Sequence, residues 1–141
     1  MAKYSVNHKT DVADVLYINT PTKLCAIYGI MIGNYTTNDS NEIRLNRLSS
    51  TGLGGTSLTI NKLDPLINNS TVIAEGGIFL AFPPNYGATL MNIPLATNTS
   101  FKWSARKKNR ILSAIGSEVG IAIEHIQGGS LNVETTLFWE E

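Results

Sequence analysis

Three glycines in four positions, followed at once by Thr56 and Ser57, are residue types that can wrap a phosphate with backbone amides. The stretch GLGGTS, residues 52–57, therefore raises nucleotide binding before anything else. That chemistry also needs a lysine just before the Ser/Thr to reach the phosphates, and a following helix whose first amides face the anion. Gly55 stands where the lysine would be, and Leu58, Thr59 and Ile60 alternate as a strand does. The stretch reads as a hairpin loop in which Gly52, Gly54 and Gly55 supply positive φ angles at no steric cost. No nucleotide or other cofactor is expected.

Proton transfer fares no better. His8 and His125 are the only histidines, His125 closes a strand, and the sequence identifies no facing partner for either. Asp11 with Asp14, and Glu140 with Glu141, are acids close along the chain, yet nothing brings them together as acid and base over a pocket. Asp39, in NYTTNDSN, could offer oxygens to calcium but lacks the regular acidic spacing of a calcium loop. Cys25 is alone among apolar neighbours Leu24, Ala26 and Ile27, which suits a buried thiol and rules out a disulfide within the chain. The tripeptides NYT, NDS, NNS, NST and NTS match glycosylation acceptors and read more simply as turn chemistry. No catalytic or metal-binding residue is assigned, and an enzyme is not expected.

One charged feature stands out. KWSARKKNR carries Lys102, Arg106, Lys107, Lys108 and Arg110, five of the eleven cations within nine residues and no acid among them. It reads as a solvated loop between the strands holding Trp103 and Ile111, or as a docking patch for an acidic partner surface or a polyanion. Phe101 and Trp103 alternate with Lys102 and point inward, so the run offers no stacking row for single-stranded nucleic acid.

These residues must be positioned by strands. LCAIYGIMIG (24–33) is apolar on both alternating faces, as a covered central strand is. EIRLNRLS (42–49) places Ile43 and Leu45 on one face and Glu42, Arg44 and Asn46 on the other. TSLTINK (56–62), GGIFLAF (76–82), TSFKWSA (99–105), RILSAI (110–115), EVGIAIEHI (118–126) and SLNVETTLFW (130–139) follow, separated by clusters of Gly, Pro, Asn, Ser and Thr. In the last of these, Leu131, Val133, Leu137 and Trp139 share a face. The one helical candidate is a turn around 62–68, with Asp64 as N-cap and Pro65 at the first helical position.

Strands at this spacing predict an all-β, antiparallel β-sandwich of jelly-roll type with about eight to ten strands. A length of 141 residues fits one domain, residues 1–141, in which 1–12 could form an N-terminal arm. Eleven cations balance eleven acids, which argues against the strong field of a nucleic-acid or membrane-surface protein. The opening residues are polar, and the longest apolar run is half a membrane span, so neither secretion signal nor membrane insertion is expected.

The order of features in the second half resembles small virion proteins of tailed bacteriophages. The matching stretches are GGTSLTINKLDP, FKW and ILSAIGSEVGIAIEHIQGGSLNVETTLFWEE, with Trp103, Gly116, Gly120, the strand 121–126, Gly128, Gly129, and Trp139 followed by Glu140. The resemblance covers roughly residues 50–141. It implies a non-enzymatic role on the phage particle, as a capsid decoration or cement protein, head fibre or tail accessory subunit. It implies synthesis in the host cytoplasm, a place on the virion surface, and other virion proteins as partners, the major capsid protein first. A symmetric homo-oligomer, with a trimer favoured, goes with such a role. The alternative is a carbohydrate-binding sandwich module, in which exposed Tyr28, Tyr35, Tyr86 or Trp103 would form a stacking platform.

Overall fold

The structure is a computed structural model describing residues 2–20, 24–36, 41–113, 118–126 and 132–141. Twelve strands are found among the described residues: β1 Lys3–Thr10, β2 Asp14–Asn19, β3 Ala26–Asn34, β4 Asn41–Ser50, β5 Thr56–Ser57, β6 Ile60–Lys62, β7 Ile73–Gly77, β8 Asn85–Leu95, β9 Thr99–Ser104, β10 Ile111–Leu112, β11 Gly120–Ile126 and β12 Val133–Glu140. They form two antiparallel sheets packed face to face, the predicted sandwich. Sheet A runs β10-β3-β12-β1-β6 with β9 also paired to β3, and sheet B runs β5-β7-β2-β11-β4-β8.

The connectivity is that of a jelly roll. With β1, β2, β3, β4, β8, β9, β11 and β12 counted as eight successive strands, sheet A holds the first, eighth, third and sixth side by side. Sheet B holds the second, seventh, fourth and fifth. Successive strands thus cross from sheet to sheet at every step but the fourth to the fifth, which pair within sheet B, in the double Greek key of that fold. Strands β5, β6 and β7 occupy the connection from β4 to β8 and extend the edges: β6 joins β1, β7 joins β2, and β5 joins β7.

Alternation decides which side chains are enclosed. Val6 of β1, Leu16 and Ile18 of β2, Ile30 and Ile32 of β3, Ile121 of β11, and Leu137 and Trp139 of β12 are buried in one continuous apolar core. Trp139 stacks on Tyr4, ring centroids 6.0 Å apart. On its outer side sheet B buries a second, smaller cluster, in which Phe79 stacks on Tyr17 at 5.2 Å beside Leu48 and Ala122.

Several expectations need correction. Within the possible arm, Lys3–Thr10 is a strand of the sandwich, paired along its whole length to β12 and at Tyr4–Val6 to β6, with Tyr4 and Val6 in the core. The stretch 56–62 is not one strand: β5 belongs to sheet B and β6 to sheet A, so the chain changes layer at Leu58 and Thr59. In 76–82 the strand ends at Gly77, whose φ of +108° turns the chain out of the sheet. The turn at 62–68 is not helical. Leu66 N–H donates to Asp64 Oδ1 at 3.0 Å and Ile67 N–H to Asp64 O at 3.3 Å, so Asp64 closes a tight turn.

The glycine loop is not a hairpin either, since β4 and β5 do not pair and Leu53 bridges to Phe82 instead. Of its glycines only Gly54 has a positive φ, +93°. Gly52 and Gly55 serve a different need: a Cβ on them would lie 2.7 and 2.4 Å from the Phe79 ring. These two glycines let the backbone close over that aromatic.

Candidate functional site

The register places four polar side chains in a single layer inside the sandwich. Within sheet A, His8 lies directly opposite Thr135, and within sheet B, Asp14 lies directly opposite His125. All four are on the enclosed face of their strands, one step beyond the apolar residues Val6, Leu16, Ile123 and Leu137. The two rungs meet across the interior. His8 Nε2 donates to Asp14 Oδ2 at 2.8 Å, and His125 Nε2 lies 3.0 Å from Thr135 Oγ1. His125 Nδ1 approaches Asp14 Oδ1 to 2.8 Å. The two atoms lack the alignment of a hydrogen bond, and both are buried without another partner.

Burial by itself would raise the Asp14 carboxyl, but the close approach of His125 and the bond from His8 outweigh it and hold the group at about 2. Asp14 is therefore an anion in the interior, and an anion accepts only. His8 must present its Nε2 proton to it. With a proton on Nδ1 toward Asp14, His125 is left to accept the Thr135 hydroxyl at Nε2. Gly76 of β7 makes room for this layer, since a Cβ there would sit 3.0 Å from the His8 ring. A second polar group lies on the inner face nearby, where Asn41 Nδ2 donates to Asn34 Oδ1 and Thr36 Oγ1, each at 3.0 Å.

The predicted basic run divides. Arg110 is not free: it is paired with Glu140 and packs over the Tyr28 ring, 5.5 Å from its centroid. Lys102, Arg106, Lys107 and Lys108 are exposed, the last two on a single 3-10 turn, Lys107–Asn109. Phe101 and Trp103 do turn inward and pack on the core, opposite Ile32 and Ile30. Four acids that a second copy could present to such a run have partners within their own chain. Glu118 pairs with Arg47, Glu134 accepts from Asn7, Glu140 pairs with Arg110, and Glu141 accepts from Ser70 and Thr71.

The four aromatics proposed as a sugar platform are scattered. Tyr28 lies between Lys3 and Arg110, Tyr35 is exposed beside Gly33, Tyr86 packs with the cluster outside sheet B, and Trp103 faces the core. Asp39, Gly116, Gly128, Gly129 and Leu131 lie outside the described residues. Among the described residues, no helix is long and apolar enough to cross a membrane.

What sequence reasoning did not find is apolar. Leu53, Ile78, Leu80 and Phe82 project from the glycine loop and the segment after β7, with Leu80 86% and Phe82 64% exposed. Leu53 N–H donates to Phe82 O at 2.8 Å, while Ala81 N–H and Phe82 N–H donate back to Leu53 O at 3.2 and 3.3 Å. These bonds pin the glycine loop at Leu53 to the segment at Phe82. Their alternation reads as a strand; the exposing signal was the Gly76-Gly77 pair just before them. The histidine layer was also missed, although His8, Asp14 and His125 each continue the apolar side of their strand's alternation. No protein-family model matches the chain, and no curated protein is significantly similar to it.

Proposed function

We propose that this chain is a non-enzymatic structural protein of a tailed-phage virion, most simply a decoration or cement protein on the capsid surface. The observation that carries the reading is the exposure of Leu53, Ile78, Leu80 and Phe82 around the backbone bridge between Leu53 and Phe82. Contiguous apolar surface held out from a rigid scaffold is a mark of an interaction site. The cluster suits a neighbouring copy in a symmetric oligomer, a trimer by preference. Formal neutrality of the chain limits repulsion when many copies pack together. The exposed cations Lys102, Arg106, Lys107 and Lys108 are then available to the capsid shell, where charge at an interface rim speeds encounter more than it adds affinity. The resemblance through Trp103, Gly120 and Trp139-Glu140 supplies the phage context, and the jelly roll is a fold that capsid proteins share with many others.

Sedimentation and particle rebinding test this reading together. Wild-type protein is expected to sediment as a closed oligomer and to rebind particles lacking it. Leu80→Asp with Phe82→Asp should give a folded monomer with reduced occupancy. Arg106, Lys107 and Lys108 replaced together by Ser should remain oligomeric and bind more slowly, most visibly at low salt, where screening over roughly 10 Å is weakest. A wild-type protein that is monomeric and ignores the particles refutes the proposal.

A further inference from the structure

We propose that His8, Asp14 and His125 form a site for one divalent transition-metal ion, zinc by its chemistry, that clamps the two sheets of the sandwich together. Two imidazole nitrogens and a carboxylate oxygen from these residues lie within 4.8 Å of one another. Ligands on tetrahedral zinc at about 2.0–2.1 Å from the metal stand roughly 3.4 Å apart. The observed spacings, 2.8 Å from Asp14 to each ring and no more than 4.8 Å overall, bracket that value. A donor set of two imidazoles and one carboxylate suits zinc and its neighbours in the first row, and not the oxygen-seeking magnesium or calcium.

A second observation points to a ligand. Asp14 Oδ1 and His125 Nδ1 face each other at 2.8 Å, both buried and neither aligned in a hydrogen bond. An ion that replaces the Nδ1 proton gives each atom the partner that misalignment denies it, with the pair opening from 2.8 Å toward roughly 3.4 Å and the ring proton moving to Nε2, which then donates to Thr135. The outer nitrogen of His125 is already held by Thr135 Oγ1 at 3.0 Å, the kind of support that fixes a ligating imidazole's orientation.

The site is closed. The His125, Asp14 and His8 side chains are 0, 2 and 12% exposed, so no substrate can reach an ion there and its role is structural. The fourth position falls to the second Asp14 oxygen or to a water on the His8 side, the least covered. Because His8 belongs to sheet A and the other two ligands to sheet B, the ion would bridge the layers.

The test uses the full chain without a histidine tag, stripped by a chelator and titrated with zinc chloride. The chain has two histidines, so every imidazole resonance in a nitrogen-15 spectrum reports on this site. One equivalent is expected to bind and to raise the unfolding temperature. Both rings should shift, His125 ligating through Nδ1 and His8 through Nε2. His8→Gln and Asp14→Asn should each weaken binding by about 100-fold or more while retaining the native circular dichroism. Lys9→Gln, on the opposite face of β1, should bind as wild type does. Unshifted rings in the wild-type protein at saturating zinc, or undiminished affinity in a folded His8→Gln, would overturn the site. The wild-type spectrum decides the matter even if a ligand variant fails to fold.

Discussion

Cys25 is enclosed at the start of β3, and burial, with a smaller push from the charge of Glu141 and against a pull from Ser113, raises its thiol to about 12. A thiol so placed carries almost no thiolate at neutral pH. Labelling by an aromatic disulfide should therefore proceed only as fast as the protein opens, and rapid labelling in native buffer would contradict the packing around it. At Glu141 burial pulls the carboxyl up, but hydrogen bonds from Ser70, Thr71 and Trp139 prevail and hold it below the usual carboxylate range. A carboxyl depressed on folding contributes stability that is present above its unfolded value and is lost as pH falls through its folded one. Glu141→Gln should therefore lower the urea midpoint at pH 7 and cost progressively less in acid. A constant offset from pH 7 to pH 3 would show that the charge is not what matters. Gly55→Ala is expected to cost about 1–3 kcal/mol by overpacking Phe79, and Phe79→Leu should recover part of that loss. The burial of Cys25 was legible from its neighbours. The purpose of Gly55 was not, because a glycine needed for close approach and one needed for positive φ look alike in a sequence.

Strands were legible where an apolar face is buried, but not in β1 and β2, whose enclosed faces also carry the polar His8, Thr10 and Asp14. Both β3 and β11 lie inside their predicted stretches but for Asn34, and β12 carries the predicted Val133, Leu137 and Trp139 on its enclosed face. The same face holds Thr135, which makes sense only once His125 is seen across the interior. The longest strand, β8, went unpredicted because most of its side chains are exposed and Gly87 and Pro94 interrupt it. Burial writes a pattern into a sequence, and an edge strand enclosed only toward its end, at Ile93 and Leu95, writes little of one. Pro94 fits an edge, where its missing N–H leaves no gap in the ladder. The converse error is 78–82, where apolar alternation marks an exposed cluster and not a strand. Within β12, Trp139→Ala should cost about 3–5 kcal/mol, since the ring is fully buried against Tyr4. Chemical unfolding measures this, and a loss under 1 kcal/mol would mean that the interior collapses freely around the gap.

At the scale of the molecule, composition and strand spacing foretold a sandwich of jelly-roll type, while the pairings that define it could not be read. Strands of similar length and apolar content are interchangeable on paper; which one neighbours which is decided by long connections that the pattern does not record. That ambiguity concealed the histidine layer, since His8 and Asp14, six residues apart, join only because β1 and β2 enter different sheets. The same connectivity governs how the chain reaches its native state. β12 lies between β1 and β3, so sheet A has no interior until a strand from the far end of the sequence is inserted between two from its beginning. Closing so long a loop precedes any reward from the contacts it makes, which places folding in the range of roughly milliseconds to seconds typical of sandwiches. If insertion of β12 is the rate-limiting event, Leu137→Ala will slow refolding in stopped-flow experiments by nearly the whole of its effect on stability. If the substitution accelerates unfolding instead, sheet B forms the nucleus, and β12 docks after the barrier has been crossed.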